Sequence, residues 1–206
     1  MGFELPQGFK PMPLREEEPI ERLVEDDHIP DGTFFAALPH SIERMTANDA
    51  IEYAGFFSLV LNVSPHYSDE EKRVSIELRS SRKNLEKITD TSNWILLSVK
   101  DEKSGKTIGS LEAQMIANSK GERFGNIKWT LVHPEYWRQG IGTQLKLRFE
   151  ELIKERGCAG VITAIKDDNI ASIEMNRALG IVRDDSFPRT SSGLAWYTKR
   201  FVLGEK

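Results

Sequence analysis

The chain has 206 residues, of which 39% are hydrophobic and 29% charged, which suits one packed domain. Its 28 basic and 32 acidic residues give a net charge of −4, whereas nucleic-acid-binding proteins usually carry a basic surface. A single cysteine, Cys158, rules out an internal disulfide and a cysteine metal cluster. No apolar run approaches the roughly 18 residues of a membrane span, and the N-terminus lacks a signal-peptide pattern. We therefore expect a cytoplasmic protein that binds no metal, nucleic acid or membrane.

Residues 1–32 are predicted to form an irregular N-terminal arm, because prolines and acidic runs interrupt them throughout. One interpretation is a solvated arm that lies over the domain. The other is a segment that contacts the second subunit of a homodimer or gates the substrate site. Residues 33–206 are predicted to be one domain, and the short apolar run at 34–38 fits its first strand.

Two helices are predicted next. Thr46 or Asn48 can cap the first, and Pro65 lies just past its end. The sequence Ser-Asp-Glu-Glu at 68–71 resembles a capping box, and the apolar spacing after it predicts a second helix that runs to about Thr89. The apolar face of the first helix is predicted to comprise Ile51, Ala54, Phe57, Leu59 and Leu61.

Three strands are predicted at 94–99, 107–116 and 124–132. Turn-forming residues at 101–105 and 118–121 separate them. Connections this short imply an antiparallel meander. A helix follows the third strand, and its apolar face is predicted to comprise Ile141, Leu145, Phe149, Leu152 and Ile153.

A strand at 160–165 follows that helix, so strand, helix and strand form a βαβ unit with two parallel strands. A short helix is capped by residues 167–169 and ends at Gly180. Two last strands are predicted at 181–183 and 193–201. The order β-α-α-β-β-β-α-β-α-β-β indicates a mixed α/β layer architecture.

The turn from Val132 to Thr143 has the features of an anion site. Backbone N–H groups point outward at a helix N-terminus, and the helix dipole favours negative charge there. Gly140 and Gly142 let the backbone approach a phosphate closely. The chain has no P-loop signature, and Leu145 stands where a Rossmann fingerprint needs its third glycine. The turn therefore predicts a pyrophosphate site of another kind.

The sequence Val-His-Pro-Glu-Tyr-Trp-Arg-Gln-Gly-Ile-Gly-Thr at 132–143 resembles the acetyl-CoA-binding motif of the GCN5-related N-acetyltransferase (GNAT) superfamily, Gln/Arg-x-x-Gly-x-Gly/Ala. A second motif at 169–181 resembles the family's Asn-x-x-Ser/Ala helix, which closes on Leu-Gly-Phe. The resemblance covers about residues 34–201. It implies an α/β fold with a mixed, mostly antiparallel central sheet, a splayed parallel strand pair and flanking helices.

The resemblance also implies how acetyl-CoA, the one expected cofactor, is held. The splay would leave backbone groups of Leu131 and Val132 free to pair with the pantetheine amides. Asn169 and Ser172 would line the pantetheine from the opposite side. The other residues expected at the cofactor, chiefly through pyrophosphate contacts, are Trp137, Arg138, Gln139, Gly140, Ile141, Gly142, Thr143 and Asn176.

The chain departs from the family pattern at its catalytic positions. Asn176 stands where many members have the tyrosine that protonates the leaving thiolate, and Asn126 stands where some members place a glutamate base. Trp137 replaces the usual Gln or Arg. Asn176 can contact the cofactor sulfur or orient a water, or it can be a packing residue. Glu112, in mid-strand, is a candidate general base if it faces the cleft, and a solvated acid if it faces outward.

These observations predict an N-acetyltransferase in which the amine of a small molecule or peptide attacks the thioester of acetyl-CoA directly. A covalent route through Cys158 is disfavoured, because nothing marks its thiol as activated. A CoA-binding sensor or interaction module with weak catalysis is the alternative, motivated by the missing tyrosine. A third possible function is the transfer of an acyl group other than acetyl.

Overall fold

The computed structural model describes residues 4–12, 41–46, 49–81 and 93–202. In chain order the elements are β1 Phe9–Pro11, β2 Ile42–Arg44, α1 Ala50–Val63, α2 Asp69–Ser80, β3 Trp94–Lys100, β4 Thr107–Asn118, β5 Arg123–Val132, α3 Ile141–Glu155, β6 Gly160–Ile165, α4 Ile170–Ala178, β7 Val182–Arg183 and β8 Ala195–Arg200. A 3₁₀ turn at Pro134–Tyr136 links β5 to α3. Within these ranges, no helix has the length and apolar character needed to cross a bilayer.

One sheet contains the eight strands of the described residues in the order β2-β3-β4-β5-β6-β8-β7, with β1 paired to β4. Every pair is antiparallel except β5 with β6, which are parallel because α3 crosses over between them. The predicted fold class is confirmed: a mixed, mostly antiparallel sheet with helices on its faces.

The parallel pair separates partway along its length. The ladder between β5 and β6 runs from Phe124 opposite Gly160 to Ile127 opposite Thr163 and then ends, although β5 continues to Val132. At this point the Thr163 hydroxyl donates a hydrogen bond to the Ile127 carbonyl, at 3.1 Å. The predicted splay therefore opens immediately after Ile127.

A β-bulge lies at the same point of β5. Glu112 of β4 pairs with Trp129, whereas its neighbour Ala113 pairs with Ile127, so Lys128 is an extra residue in β5. A bulge bends its strand and increases the local twist. The bend in β5 explains why the strand leaves β6 there.

Separate hydrophobic clusters cover the two faces of the sheet. On one face α3 buries its apolar stripe, as predicted, with Leu145 and Phe149 fully covered. This helix lies directly on the sheet, since a Cβ at Gly125 would lie 2.4 Å from a ring carbon of Phe149. The opposite face carries α1, whose aromatic residues pack on Leu96 and Leu131.

Two predictions for α1 are wrong. Its N-cap is Asp49, whose carboxylate accepts 2.8 Å hydrogen bonds from the Thr46 N–H and hydroxyl, and Asn48 lies outside the described residues. Ile51 is 86% exposed and Leu59 46% exposed, so the buried face is rotated from the predicted one. The helix is apolar almost all round, so its larger aromatic side chains decide which face is buried. That face comprises Tyr53, Phe56, Phe57, Val60 and Leu61.

The capping box of α2 is confirmed, since the Ser68 hydroxyl and the Glu71 carboxylate each accept a hydrogen bond from the other residue's N–H. The predicted end near Thr89 is wrong, because α2 stops at Ser80 and Ser81 is extended. Hydroxyls of both serines donate to carbonyls in the last turn, an alternative to continuing the helix. Residues 82–92 lie outside the described part of the chain.

The N-terminal arm is not irregular throughout. Phe9–Pro11 pairs with the end of β4, and the Phe9 ring meets the Phe124 ring edge-on at 5.2 Å. The strand predicted at 34–38 lies outside the described residues. The strand β2 was not predicted, and its three residues are too short a run for alternation to mark.

Candidate active site

The turn between β5 and α3 is held by local hydrogen bonds. The His133 N–H donates to the Ile108 carbonyl at 2.8 Å, which fixes the end of β5 against β4. The Nδ1 atom of His133 accepts a hydrogen bond from the Glu135 N–H at 3.3 Å and caps the 3₁₀ turn. His133 therefore has the structural role that its place before Pro134 suggests.

The turn ends in an exposed helix N-terminus. Gly140 is the N-cap of α3 with φ 83°, and no side chain caps the helix there. Arg138 also has a positive φ, 61°, although it is not glycine. Two left-handed residues turn the chain sharply, so the first N–H groups of α3 face outward. Uncapped N–H groups at the positive end of a helix dipole can bind an anion.

The two glycine positions of the motif require glycine for different physical reasons. A Cβ at Gly140 would meet nothing within 4 Å, so this position needs glycine for its backbone angle. A Cβ at Gly142 would lie 3.0 Å from the sulfur of Met175, so this position needs glycine for space. Gly142 thereby lets α3 pack closely against α4 at the side of the splay.

One expected backbone contact already has a partner. The Trp137 indole Nε1 donates to the Val132 carbonyl at 2.8 Å, so this carbonyl is not free, contrary to the prediction. Leu131 pairs with Ser110 of β4 and packs in the α1 core. Trp137 itself is 51% exposed. Its indole is therefore held at the end of β5 with one side open to solvent.

The second motif forms a buried hydrogen-bond network on α4. Asn169 caps the helix by accepting from the Ser172 N–H at 3.2 Å. Asn176 is 0% exposed, and its Nδ2 donates to the Ser172 carbonyl at 2.7 Å and approaches the Ser172 hydroxyl at 3.3 Å. Its Oδ1 accepts a 2.7 Å hydrogen bond from Lys146 of α3. Asn176 thus links the motif on α4 to a lysine on the cofactor helix.

Lys146 is a buried amine that the sequence analysis missed. Burial lowers the pKa of its ammonium to about 7, and the nearby carboxylate of Glu150 opposes the shift. Desolvation disfavours the charged form of a lysine. The available signal was a lysine beside Leu145, within the apolar stripe of α3. The Lys146 side chain thereby brings a titratable nitrogen into hydrogen-bond contact with Asn176.

Glu112 does not fit the predicted role of general base. The residue is 0% exposed, and its two oxygens accept hydrogen bonds from the Arg79 guanidinium at 2.9 and 2.7 Å. The Tyr53 hydroxyl adds a third at 2.9 Å, and burial and the adjacent carboxylate raise the pKa of that hydroxyl well above its usual value. A carboxylate bonded at both oxygens inside the α1 core cannot take a proton from a substrate amine.

A cavity of about 340 Å³ lies beside the splay on the face that carries α1 and α2. The bulge of β5 forms part of its wall, and residues of α2 and of the loop before β8 form others. Burial and the Arg79 charge lower the pKa of Lys128 to about 8, and Glu112 opposes that shift. Described residues that line the cavity include Tyr67, Leu78, Asn126, Lys128, Trp129 and Trp196.

Cys158 and a tyrosine of β8 have structural roles. Cys158 is buried, and burial raises the pKa of its thiol to about 11, so it is not an activated nucleophile. Tyr197 is buried in the core under α3. Within the described ranges, no group of three or more His, Cys, Asp or Glu side chains is arranged to hold a metal ion.

The fold and the uncapped helix N-terminus beside a splayed strand pair define a class of acyltransferases. The model of the acetyltransferase (GNAT) family matches residues 60–181, more than half of the chain. The chain therefore belongs to the GNAT family, as its two motifs predicted.

Solved structures with this fold include several acetyltransferases. The PaiA N-acetyltransferase from Thermoplasma acidophilum, in complex with coenzyme A, is 17% identical with a TM-score of 0.67, covering 79% of this chain and 99% of that one. The ribosomal-protein alanine N-acetyltransferase from Escherichia coli is 14% identical with a TM-score of 0.57, covering 81% and 97%. An aminoglycoside acetyltransferase from an uncultured soil metagenomic sample, in complex with trehalose, is 19% identical with a TM-score of 0.54, covering 68% and 86%.

Proposed function

We propose that the protein is an N-acetyltransferase that moves the acetyl group of acetyl-CoA to a primary amine of a small molecule or peptide. The observation that carries the proposal is the uncapped N-terminus of α3 beside the splay of β5 and β6. This arrangement supplies an anion site and an extended backbone edge next to each other. A pyrophosphate followed by a chain of amides has the complementary chemistry.

The cofactor would run from the turn into the splay. Its pyrophosphate would accept hydrogen bonds from the N–H groups of residues 138–143, with the Arg138 guanidinium adding a charge-assisted contact. Its pantetheine would lie between the Leu131–Val132 backbone and the Asn169 and Ser172 side chains. Pairing at Val132 would require Trp137 to release the carbonyl that it holds.

In the reaction, the amine nitrogen forms a bond to the thioester carbonyl carbon, and the carbon–sulfur bond then breaks to release the thiolate of CoA. Holding both reactants together supplies much of the rate. Lys128, whose lowered pKa leaves part of it neutral near pH 8, is the proposed acceptor of the amine proton. Asn176 is the proposed residue that orients a water molecule at the sulfur, and this water gives its proton to the thiolate.

The test is turnover with acetyl-CoA and a broad panel of primary amines. Release of the CoA thiol should match, mole for mole, the gain of one acetyl group detected on the amine by mass spectrometry. Failure of the protein to bind CoA at millimolar concentration would contradict the proposal.

A CoA-binding sensor without transfer activity is the second candidate. It is favoured by Asn176, whose amide is already bonded on both its nitrogen and its oxygen and replaces an acidic hydroxyl. This candidate expects CoA binding without turnover of any amine in the panel. Parallel assays with longer acyl-CoA thioesters would separate it from an enzyme that transfers a different acyl group.

A further inference from the structure

The wall of the 340 Å³ cavity contains two hydrogen-bond donors that have no partner among the described residues. Asn126 is 1% exposed, and its Nδ2 has no hydrogen-bond partner among the described residues. The indole Nε1 of Trp129 is also buried without a partner in that part of the chain. A buried polar group without a hydrogen bond destabilises the protein, so a ligand that satisfies both groups would be bound preferentially.

The bulge explains why both side chains reach the cavity. Side chains alternate between the faces of a strand, so residues 126 and 129 would lie on opposite faces of a regular β5. The extra residue at Lys128 resets the alternation, and both side chains line the cavity. The bulge that opens the splay therefore also aims the two donors at one space beside it.

The acidic residues of the cavity already have partners. Glu71 accepts two 3.0 Å hydrogen bonds from Lys166, and the Glu4 carboxylate accepts from the Ser191 N–H and hydroxyl. The fully buried polar atoms of the wall that lack a partner among the described residues are therefore donors. An indole N–H can only donate, so the complementary ligand atom is an acceptor, such as an oxygen.

We propose that the acceptor amine carries a carbonyl or carboxylate oxygen beside its amine-bearing carbon, and that Asn126 and Trp129 bind this oxygen. The shared chemistry is that of a free α-amino acid or a peptide N-terminus. Aromatic and aliphatic walls, including Tyr67 and Leu78, suit an apolar side chain. The cavity volume is at the small end of the range for ligand sites. This inference rests on the proposed acetyltransferase function.

The experiment compares leucine with isoamylamine, which is the same skeleton without the carboxylate. Binding of each to the CoA-saturated protein is measured by calorimetry, and kcat/KM of each is measured with acetyl-CoA. We expect leucine to be favoured by about tenfold or more, the effect of one or two hydrogen bonds to a charged acceptor. Leucinamide and a tripeptide that begins with leucine then distinguish a free carboxylate from a peptide carbonyl.

Two variants locate the effect. Asn126→Leu keeps a similar shape and Trp129→Phe keeps an aromatic ring, and each removes one donor, so each should reduce the leucine preference severalfold. Trp137→Phe makes the same chemical change on the cofactor side, so it should leave the ratio between the two amines as in the wild type. Circular dichroism of each variant checks the fold.

The outcomes separate the two proposals. Equal binding and equal turnover of leucine and isoamylamine would overturn the oxygen-binding inference and leave the acetyltransferase proposal standing. A leucine preference that survives in both donor variants would also overturn the inference. Absence of turnover with every amine, together with absence of CoA binding, would instead contradict the acetyltransferase function.

Discussion

The proposed cofactor half and the proposed acceptor half of the site are built in different ways. The cofactor half is made of the turn at 132–143 and the helix start at 169–176, and it depends largely on backbone angles and caps. The acceptor half is a cavity lined by side chains from α2, β5, β6 and the loop before β8. A site made by consecutive backbone groups leaves a local pattern in the sequence. A site made by distant side chains leaves none.

The polar contacts of the two halves also differ in how far apart in sequence their partners lie. In the acceptor half, Arg79 meets Glu112 and Lys166 meets Glu71, pairs that lie 33 and 95 residues apart in sequence. In the cofactor half, the motif hydrogen bonds on α4 join residues three or four positions apart. Only the second kind can be inferred from spacing alone. The variants below disturb one half at a time.

The largest expected effect is the loss of stability in Glu112→Gln, which removes the buried carboxylate that forms an ion pair with Arg79. Breaking a buried ion pair from one side costs roughly 3–5 kcal/mol of the free energy of unfolding. Urea denaturation measures this change. The matched control is Glu77→Gln, which breaks an exposed pair with Arg73 on α2 and should cost less than about 1 kcal/mol.

The same variant tests whether the halves are independent. We expect Glu112→Gln to retain the CoA affinity of the wild type within about twofold at a temperature where it is folded, because Glu112 lies on the opposite face of the sheet from α3. Loss of CoA binding in the folded variant would show that the two halves cannot be separated.

The next effect concerns Lys146. Its folded pKa of about 7 lies below the ordinary value of 10.5, so between these values the unfolded chain binds a proton that the folded chain does not. The lysine therefore destabilises the fold most below about pH 7, and the free energy of unfolding rises with pH by up to about 1.4 kcal/mol per unit above it. Lys146→Met removes this contribution.

The measurement is the difference in unfolding free energy between wild type and Lys146→Met at two pH values. Between about pH 7 and pH 9 it should shift by roughly 2–3 kcal/mol in favour of the wild type. The control is Lys154→Met, since Lys154 is half exposed and its loss should give no comparable slope. A difference that does not change with pH would contradict a buried amine at Asn176.

Gly140→Ala is expected to weaken CoA binding by about tenfold, because a residue with a Cβ is strained by about 1–2 kcal/mol at φ 83°. The companion variant is Arg138→Gly, which relieves the positive φ of Arg138 and removes its guanidinium, so it tests the side-chain contact instead of the turn conformation. Calorimetry with CoA measures both. Equal affinities in wild type and Gly140→Ala would show that the turn conformation is not what binds the cofactor.

The smallest expected effect is that of Trp137→Phe, which frees the Val132 carbonyl. Removing this hydrogen bond should cost about 1 kcal/mol of stability. If the pantetheine uses that carbonyl, CoA affinity should stay the same or rise by a few fold. A large loss of CoA affinity would instead mean that the indole itself contacts the cofactor.

The sequence predicted the parts of the fold that rest on regular spacing. The strand at 160–165 and the buried stripe of α3 agree with the structure, because strong periodicity and glycine ends mark them. The predicted buried face of α1 was wrong because a helix that is apolar on all sides has no distinct apolar stripe. The predicted end of α2 was wrong because two serine hydroxyls donate to backbone carbonyls of the last turn, in competition with further helical hydrogen bonds.

The side chains of the acceptor cavity could not be predicted for a further reason. A bulge depends on how two strands pair, and only that pairing turns Lys128 and Trp129 toward one space. Glu112 was noticed as an acid in an apolar strand, but its partner Arg79 belongs to a helix elsewhere in the chain. A buried acidic residue predicts a buried basic residue as its partner, but the sequence does not identify which basic residue it is.

Hydrogen–deuterium exchange of the protein with and without saturating CoA tests the central claim most directly. We expect slower exchange at the backbone amides of residues 138–143 and at the start of α4, because these N–H groups and the adjoining pantetheine site become covered. The amides of α1, on the other face of the sheet, should exchange as in the free protein. Unchanged exchange in the turn at saturating CoA would contradict the assignment of the β5–α3 turn as the cofactor site.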